Sequence, residues 1–262
     1  PDGAATSLSA PDGAPPDGAA PQIPANQPSI STPSDINRFR GARSSFTRFA
    51  KSGNQANLGR AISSYVSRST GGSRQAARRM TSSRQGGERL VSFLSDVRSR
   101  GVREALITLN LEKLAGQPIE EIFIGLIDYV CPQSGTIDEG IARNAFVNTI
   151  IDLTTLGAVD LNTLTEAQIQ TVFELYATHT IELRICNDIG MNLVTLPANL
   201  PAVERIQHQL HDFVRRSVSD ALTVARSTFQ ALTPDRVYEF VNNVYEEAFN
   251  ILQLLGEAEA KK

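Results

Sequence analysis

Three histidines and two cysteines are the side chains of this chain best suited to ligating a metal. His208 and His211 stand one helical turn apart, and His179 lies in another segment. A structural zinc site wants tight Cys/His pairs from two segments, and a zinc protease wants His-Glu-x-x-His on one helix face. Neither spacing occurs, so no metal site is expected and the histidines read as solvated helix-face residues. Cys131 and Cys186 have no CxxC spacing and sit among apolar neighbours, the usage of free core thiols in a reducing compartment. No Gly-x-Ser-x-Gly elbow is present and neither cysteine has an obvious histidine in sequence. The carboxylate pairs Glu120/Glu121 and Glu246/Glu247 fall on acidic helices, where solubility is their ordinary use. Gly71-Gly72-Ser73-Arg74 and Gly86-Gly87-Glu88-Arg89 could each open a helix that holds a phosphate on its free N–H groups. No Gly-Lys-Ser/Thr follows either of them, and flexible turns account for both. The residues point to no catalytic group and no cofactor.

What the sequence does emphasise is cationic. Residues 37–104 carry fifteen bases, fourteen of them arginine, against Glu88, Asp96 and Glu104. Residues 105–262 reverse this with ten bases and twenty-one acids, and residues 1–36 have four acids and no base, so the net charge of −3 conceals two oppositely charged parts. Arg38, Arg40, Arg43 and Arg48 alternate with Phe39, Phe46 and Phe49, while Arg74, Arg78 and Arg79 fall on adjacent turns. Arginine interleaved with aromatics suits phosphate forks, base stacking or the hot spot of a protein partner. The candidate contact residues are therefore Arg43, Phe46, Arg48, Phe49, Arg74, Arg78 and Arg79, for an acidic protein or a nucleic acid. A solvated face neutralised by the chain's own acidic part explains the same charges equally well.

The elements that would position these residues are helical. Residues 1–36 hold eight of the thirteen prolines, repeat Pro-Asp-Gly at Pro1, Pro11 and Pro16, and show no apolar period, so they read as a disordered Pro/Ala/Gly linker tail. Residues 37–104 form a basic region of short helices punctuated by Gly71-Gly72 and Gly86-Gly87, with a stronger stripe from Leu90 to Leu109 that Gly101 breaks. The segment after Pro118, apolar nearly all round through Ile119, Ile122, Phe123, Ile124, Leu126, Ile127, Tyr129 and Val130, is expected to be the most buried helix. Capping boxes at Thr136/Glu139 and Thr165/Gln168, a cap at Thr233-Pro234 and stops at Gly157, Gly190 and Gly256 bracket helices over 137–156, 165–189, 201–232 and 234–255. No segment alternates with period two. The expected fold is all-α: an acidic bundle of long antiparallel helices over residues 105–262, preceded by the basic region and the tail. No apolar run of about 18 residues and no export signal is visible, so no membrane is expected.

Longer stretches resemble a known family. Asn37-Arg38-Phe39-Arg40-Gly41-Ala42-Arg43-Ser44-Ser45-Phe46-Thr47-Arg48-Phe49, Leu58-Gly59-Arg60-Ala61, Tyr65-Val66 and Gly71 through Met80 are similar to the QatB family. So are Pro118 through Phe123, Tyr129-Val130-Cys131-Pro132, Ile137 through Ala142 and Ile185 through Gly190. The resemblance covers about residues 37–262 and implies a small helper protein of the Qat anti-phage defence system, without a catalytic motif, in the bacterial cytoplasm. It implies as partners a QueC-like nucleotide-dependent enzyme, QatC, together with an ATPase and a TatD-like nuclease. It also implies that the chain accepts a deazaguanine-type group at its N-terminus from the QueC-like enzyme, with the tail as the arm. The alternative is an adaptor that uses the basic region to bring phage DNA to a nuclease.

Overall fold

The long helices start where side chains satisfy their free N–H groups. A computed structural model describes residues 37–262 apart from positions 134, 158, 191–193, 195, 197–198 and 231, and the tail expected over residues 1–36 lies outside the described residues. Thr136 Oγ1 accepts from the Glu139 N–H at 3.2 Å and the Glu139 carboxylate accepts from the Thr136 N–H at 3.0 Å, opening α8 (Ile137–Leu156). Thr165 and Gln168 make the same reciprocal pair at 3.3 and 2.9 Å and open α9 (Glu166–Ile189). Gly157 and Gly190, with φ of 57° and 72°, end these two helices in the left-handed region. Every regular element among the described residues is helical. No helix among them is long and apolar enough to cross a membrane.

The basic segment supplies α1 (Arg40–Ser52), α2 (Gln55–Ser64), a π-helical turn (Tyr65–Ser69), α3 (Ser73–Arg78) and α4 (Thr81–Arg100), and Gly101 separates α4 from α5 (Val102–Thr108). The rest consists of α6 (Ile119–Gly125), α7 (Ile127–Val130), α8, α9, α10 (Leu200–Val224), α11 (Arg226–Gln230) and α12 (Val237–Glu259). Side-chain pairs give the directions. Glu174–Arg215 and Glu182–His211 run α9 and α10 antiparallel, as Asp138–Arg184 and Asp152–His179 do for α8 and α9. Phe173–Phe240 and Thr180–Tyr245 place α12 parallel to α9. One continuous hydrophobic core joins the two oppositely charged parts, since Phe46, Phe49, Leu58, Ile62 and Tyr65 belong to the same cluster as Phe173, Phe213, Phe240 and Phe249.

Four expectations are corrected. The segment after Pro118 is not the central helix: it breaks at Leu126 and leaves Ile124 57% exposed. The centre is the middle of α9, where Leu175 through Ile181 are all buried, so that this stretch turns no face to solvent. Its Thr178, His179 and Thr180 lower its apparent hydrophobicity, which is why an apolar count passes over it. Gly86 and Gly87 do not punctuate; they lie buried inside α4, where a Cβ on Gly87 would stand 3.0 Å from the Phe173 ring and one on Gly86 would meet the Tyr176 phenol. Gly256 does not stop its helix but lies buried within α12, at a close crossing with Gly59 of α2. The expected 201–232 helix turns at Ala225 so that Phe229 reaches Phe240, with ring centroids 5.1 Å apart.

Candidate interaction surface and polar centres

The candidate contact residues separate by burial. On α1, Ala42, Phe46, Phe49 and Ala50 face the core, with Phe46 and Phe49 at 0% exposure and in edge contact with each other at 5.5 Å. These two phenylalanines are thus core side chains and not contact residues, because the 3.6-residue period that interleaves them with arginines also puts them on the opposite face. The other face carries Arg40, Ser44, Arg48 and Lys51, all exposed. None of these three cations forms an ion pair among the described residues, and Arg48 donates only to Ser44 Oγ at 3.3 Å.

Several of the remaining arginines find partners within the chain. Arg43 donates to the Ile189 carbonyl at 2.6 Å, at the C-terminal end of α9 where carbonyls lack helical partners. Arg38 donates to the Ser69 carbonyl and, at 3.1 Å, to that of Thr70. Arg74 reaches Glu246 at 3.1 Å, Arg98 reaches Glu166 at 3.7 Å, and Arg89 donates to the Val130 carbonyl at 3.1 Å. Arg78 is exposed.

Arg79 enters a centre built from both charged parts. Its guanidinium lies 3.5 Å from Asp188 Oδ2 and 5.5 Å from the Phe39 ring centroid. Tyr65 donates its hydroxyl to the same Asp188 oxygen at 3.0 Å, and Arg184 approaches that oxygen at 3.3 Å. Arg184 then lies 3.7 Å from Asp138, which accepts from the Ser82 N–H at 2.6 Å and the Ser83 hydroxyl at 3.0 Å. Every charged member is partly or wholly buried and makes at least one ionic or hydrogen-bonded contact, the condition under which buried charge is tolerated. Burial first, then the neighbouring Asp188 charge, pushes the Tyr65 phenol well above its usual range. This network fixes the basic segment to α8 and α9, with Arg79 Nε left buried and without a partner among the described residues.

The thiols are poor nucleophiles. Burial pushes Cys131 up to about 11 although the Tyr176 hydroxyl 3.8 Å away works against it, and burial with the Glu182 charge pushes Cys186 up to about 12. A mainly apolar pocket of about 390 Å³ between α4, α5 and the start of α12 is lined by Phe93, Ala105, Leu109, Tyr129 and Val237, with Asp96 at its edge.

The histidines differ from expectation. Only His208 faces solvent. His179 is buried, with Nε2 2.7 Å from Asp152 Oδ2, and His211 turns toward α9, with Nδ1 2.8 Å from Glu182 Oε2. The hydrogen bond to Glu182 holds the His211 pKa above its ordinary value against partial burial. The i, i+3 spacing of His179 and Glu182 marks one face of α9, but the placement of His211 beside them depends on how α10 docks, which no local spacing encodes.

Among curated proteins and among solved structures, no match to the chain is found. A family model does match: that of the Qat anti-phage system associated protein QatB, over residues 71–252. The matched span runs from the glycine pair before α3 to the last turns of α12 and takes in α3 through α11 entire. The chain belongs to the QatB family, whose members are associated with the Qat anti-phage system.

Proposed function

We propose that this chain is a non-catalytic component of the defence system that docks a QueC-like partner enzyme, QatC, on the outer face of α1 and receives that enzyme's modification at its N-terminus. The observation that carries this reading is the row of Arg40, Arg48 and Lys51, exposed and without an acidic partner among the described residues, at the start of the folded part. Arg74, Arg79 and Arg98 of the segment meet Glu246, Asp188 and Glu166, whereas Arg68, Arg78 and Arg103, also exposed and without an ion pair among the described residues, stand singly on separate elements and form no such row. A row left unneutralised beside them fits an acidic protein surface. The segment that precedes α1 joins the fold at this helix, so an enzyme held there would have that segment within reach. The free thiols fit a reducing bacterial cytoplasm.

The test reverses the three charges together, Arg40→Glu, Arg48→Glu and Lys51→Glu, leaving Phe46 and Phe49 in the core. The affinity for the QueC-like enzyme is expected to fall at least ~30-fold, the ~2 kcal/mol scale of an interface hot spot, with the helical circular dichroism unchanged. The mass of the N-terminal peptide, from cells with and without that enzyme, reads the modification. Undiminished affinity in the folded variant would remove α1 from the interface. If instead the wild-type row binds generic duplex DNA with an affinity that falls steeply with salt, the adaptor reading displaces this one.

A further inference from the structure

We propose that His179, Glu182 and His211 bind one divalent cation of the zinc class. One ligand atom from each of the three lies within 4.8 Å of the others. His179 and Glu182 share a face of α9 at i, i+3, and His211 comes from the neighbouring α10, so the donors converge from two rigid helices and not from a loop. Two imidazoles and a carboxylate are the donor set with which zinc keeps a fourth position for water, at about 2.0–2.2 Å per bond. Ligand atoms around such a centre stand about 3.3 Å apart. His211 Nδ1 and Glu182 Oε2 are already 2.8 Å apart, so closure on the cation asks for side-chain shifts of about an ångström.

Three further features separate this cluster from an ordinary pair of histidine–carboxylate contacts. Asp152 of α8 stands 2.7 Å from His179 Nε2, the position of the outer carboxylate that orients a metal-bound imidazole. The two imidazole rings lie with centroids 5.5 Å apart, close enough for one cation to reach a nitrogen of each. The side chains of Glu182 and His211 are 19% and 26% exposed, which leaves an open side for entry and for water. A bound cation would tie α10 to α9. Cys186, one turn beyond Glu182, is not among the converging atoms and His208 points to solvent, so neither enters the donor set. This site is independent of the α1 docking face.

The experiment strips the full chain with a chelator and titrates it with zinc alone, following heat and melting temperature. One zinc per chain, a raised melting temperature, and shifts of the His179 and His211 imidazole signals with those of His208 unmoved are expected. Asp152→Asn should weaken zinc about 10–100-fold, and Glu182→Gln and His211→Gln more than that, while His208→Ala changes nothing. Circular dichroism in the absence of zinc checks that each variant is folded. No saturable uptake by the wild-type chain, zinc shifts centred on His208, or wild-type affinity in folded Glu182→Gln and His211→Gln would overturn the assignment.

Discussion

Replacing Gly256 by alanine should destabilise this chain, although the same substitution in a helix normally does the opposite. Gly256 lies inside α12, where alanine has an intrinsic advantage over glycine of about 1 kcal/mol. The added Cβ, however, would stand 2.7 Å from the Gly59 carbonyl oxygen, 2.9 Å from the Ser63 nitrogen and 3.1 Å from the Ser63 Cβ of α2. Ordinary contact starts at 3.4 Å, so α2 and α12 must part by about 0.7 Å, and backbone atoms cannot rotate aside. Overpacking of this kind costs about 1–3 kcal/mol, and parting the helices also loosens the buried Leu58, Ile62 and Leu252 nearby. The net expectation is a loss of up to about 2 kcal/mol. Gly140 in α8 is the control, because a Cβ there meets nothing within 4 Å and Gly140→Ala should gain up to about 1 kcal/mol. For a chain of this size 1 kcal/mol moves the melting temperature by about 2–4 °C, so the two variants should melt up to about 12 °C apart, with Gly256→Ala below wild type and Gly140→Ala above it, when followed by circular dichroism. A Gly256→Ala protein as stable as wild type would refute the close crossing of α2 and α12.

Asp188→Asn should cost about 3–5 kcal/mol in urea unfolding, because it leaves Arg184 and Arg79 in the interior without their shared carboxylate; a loss below about 1 kcal/mol would show that the network is not closed as described. Alkali should also weaken the fold. Cys131 and Cys186 titrate at about 11 and about 12 when folded, against about 8.5 for an unfolded thiol, so above pH ~8.5 the unfolded chain releases protons first. Stability is therefore full below that pH and falls as pH rises toward the folded values, by up to about 1.4 kcal/mol per unit for each thiol, with the raised Tyr65 and Tyr176 phenols adding to the loss above pH ~10. Urea midpoints at pH 7, 9 and 10.5 measure this, and a flat profile would contradict the burial of these groups.

The starts of α8 and α9 were legible because a capping box is a local device: Thr136 with Glu139 and Thr165 with Gln168 bond within one turn, whatever packs against them. Gly157 and Gly190 were legible as stops for the same reason, whereas Gly256, Gly86 and Gly87 were not, since their use is to admit another chain segment from far away in sequence. The charge pattern shows the same limit more sharply. A run of arginines beside an acidic region is equally compatible with internal neutralisation and with an outward basic face, and composition cannot choose. The fold divides them residue by residue: Arg43, Arg74, Arg79 and Arg98 find partners on α9 and α12, while Arg40, Arg48 and Lys51 stay on the free side of α1 because Phe46 and Phe49 claim the other side. The phenylalanines that seemed to belong with a docking surface thereby determine which cations can serve one. Helical phase, and not the density of arginine, selects the residues worth reversing.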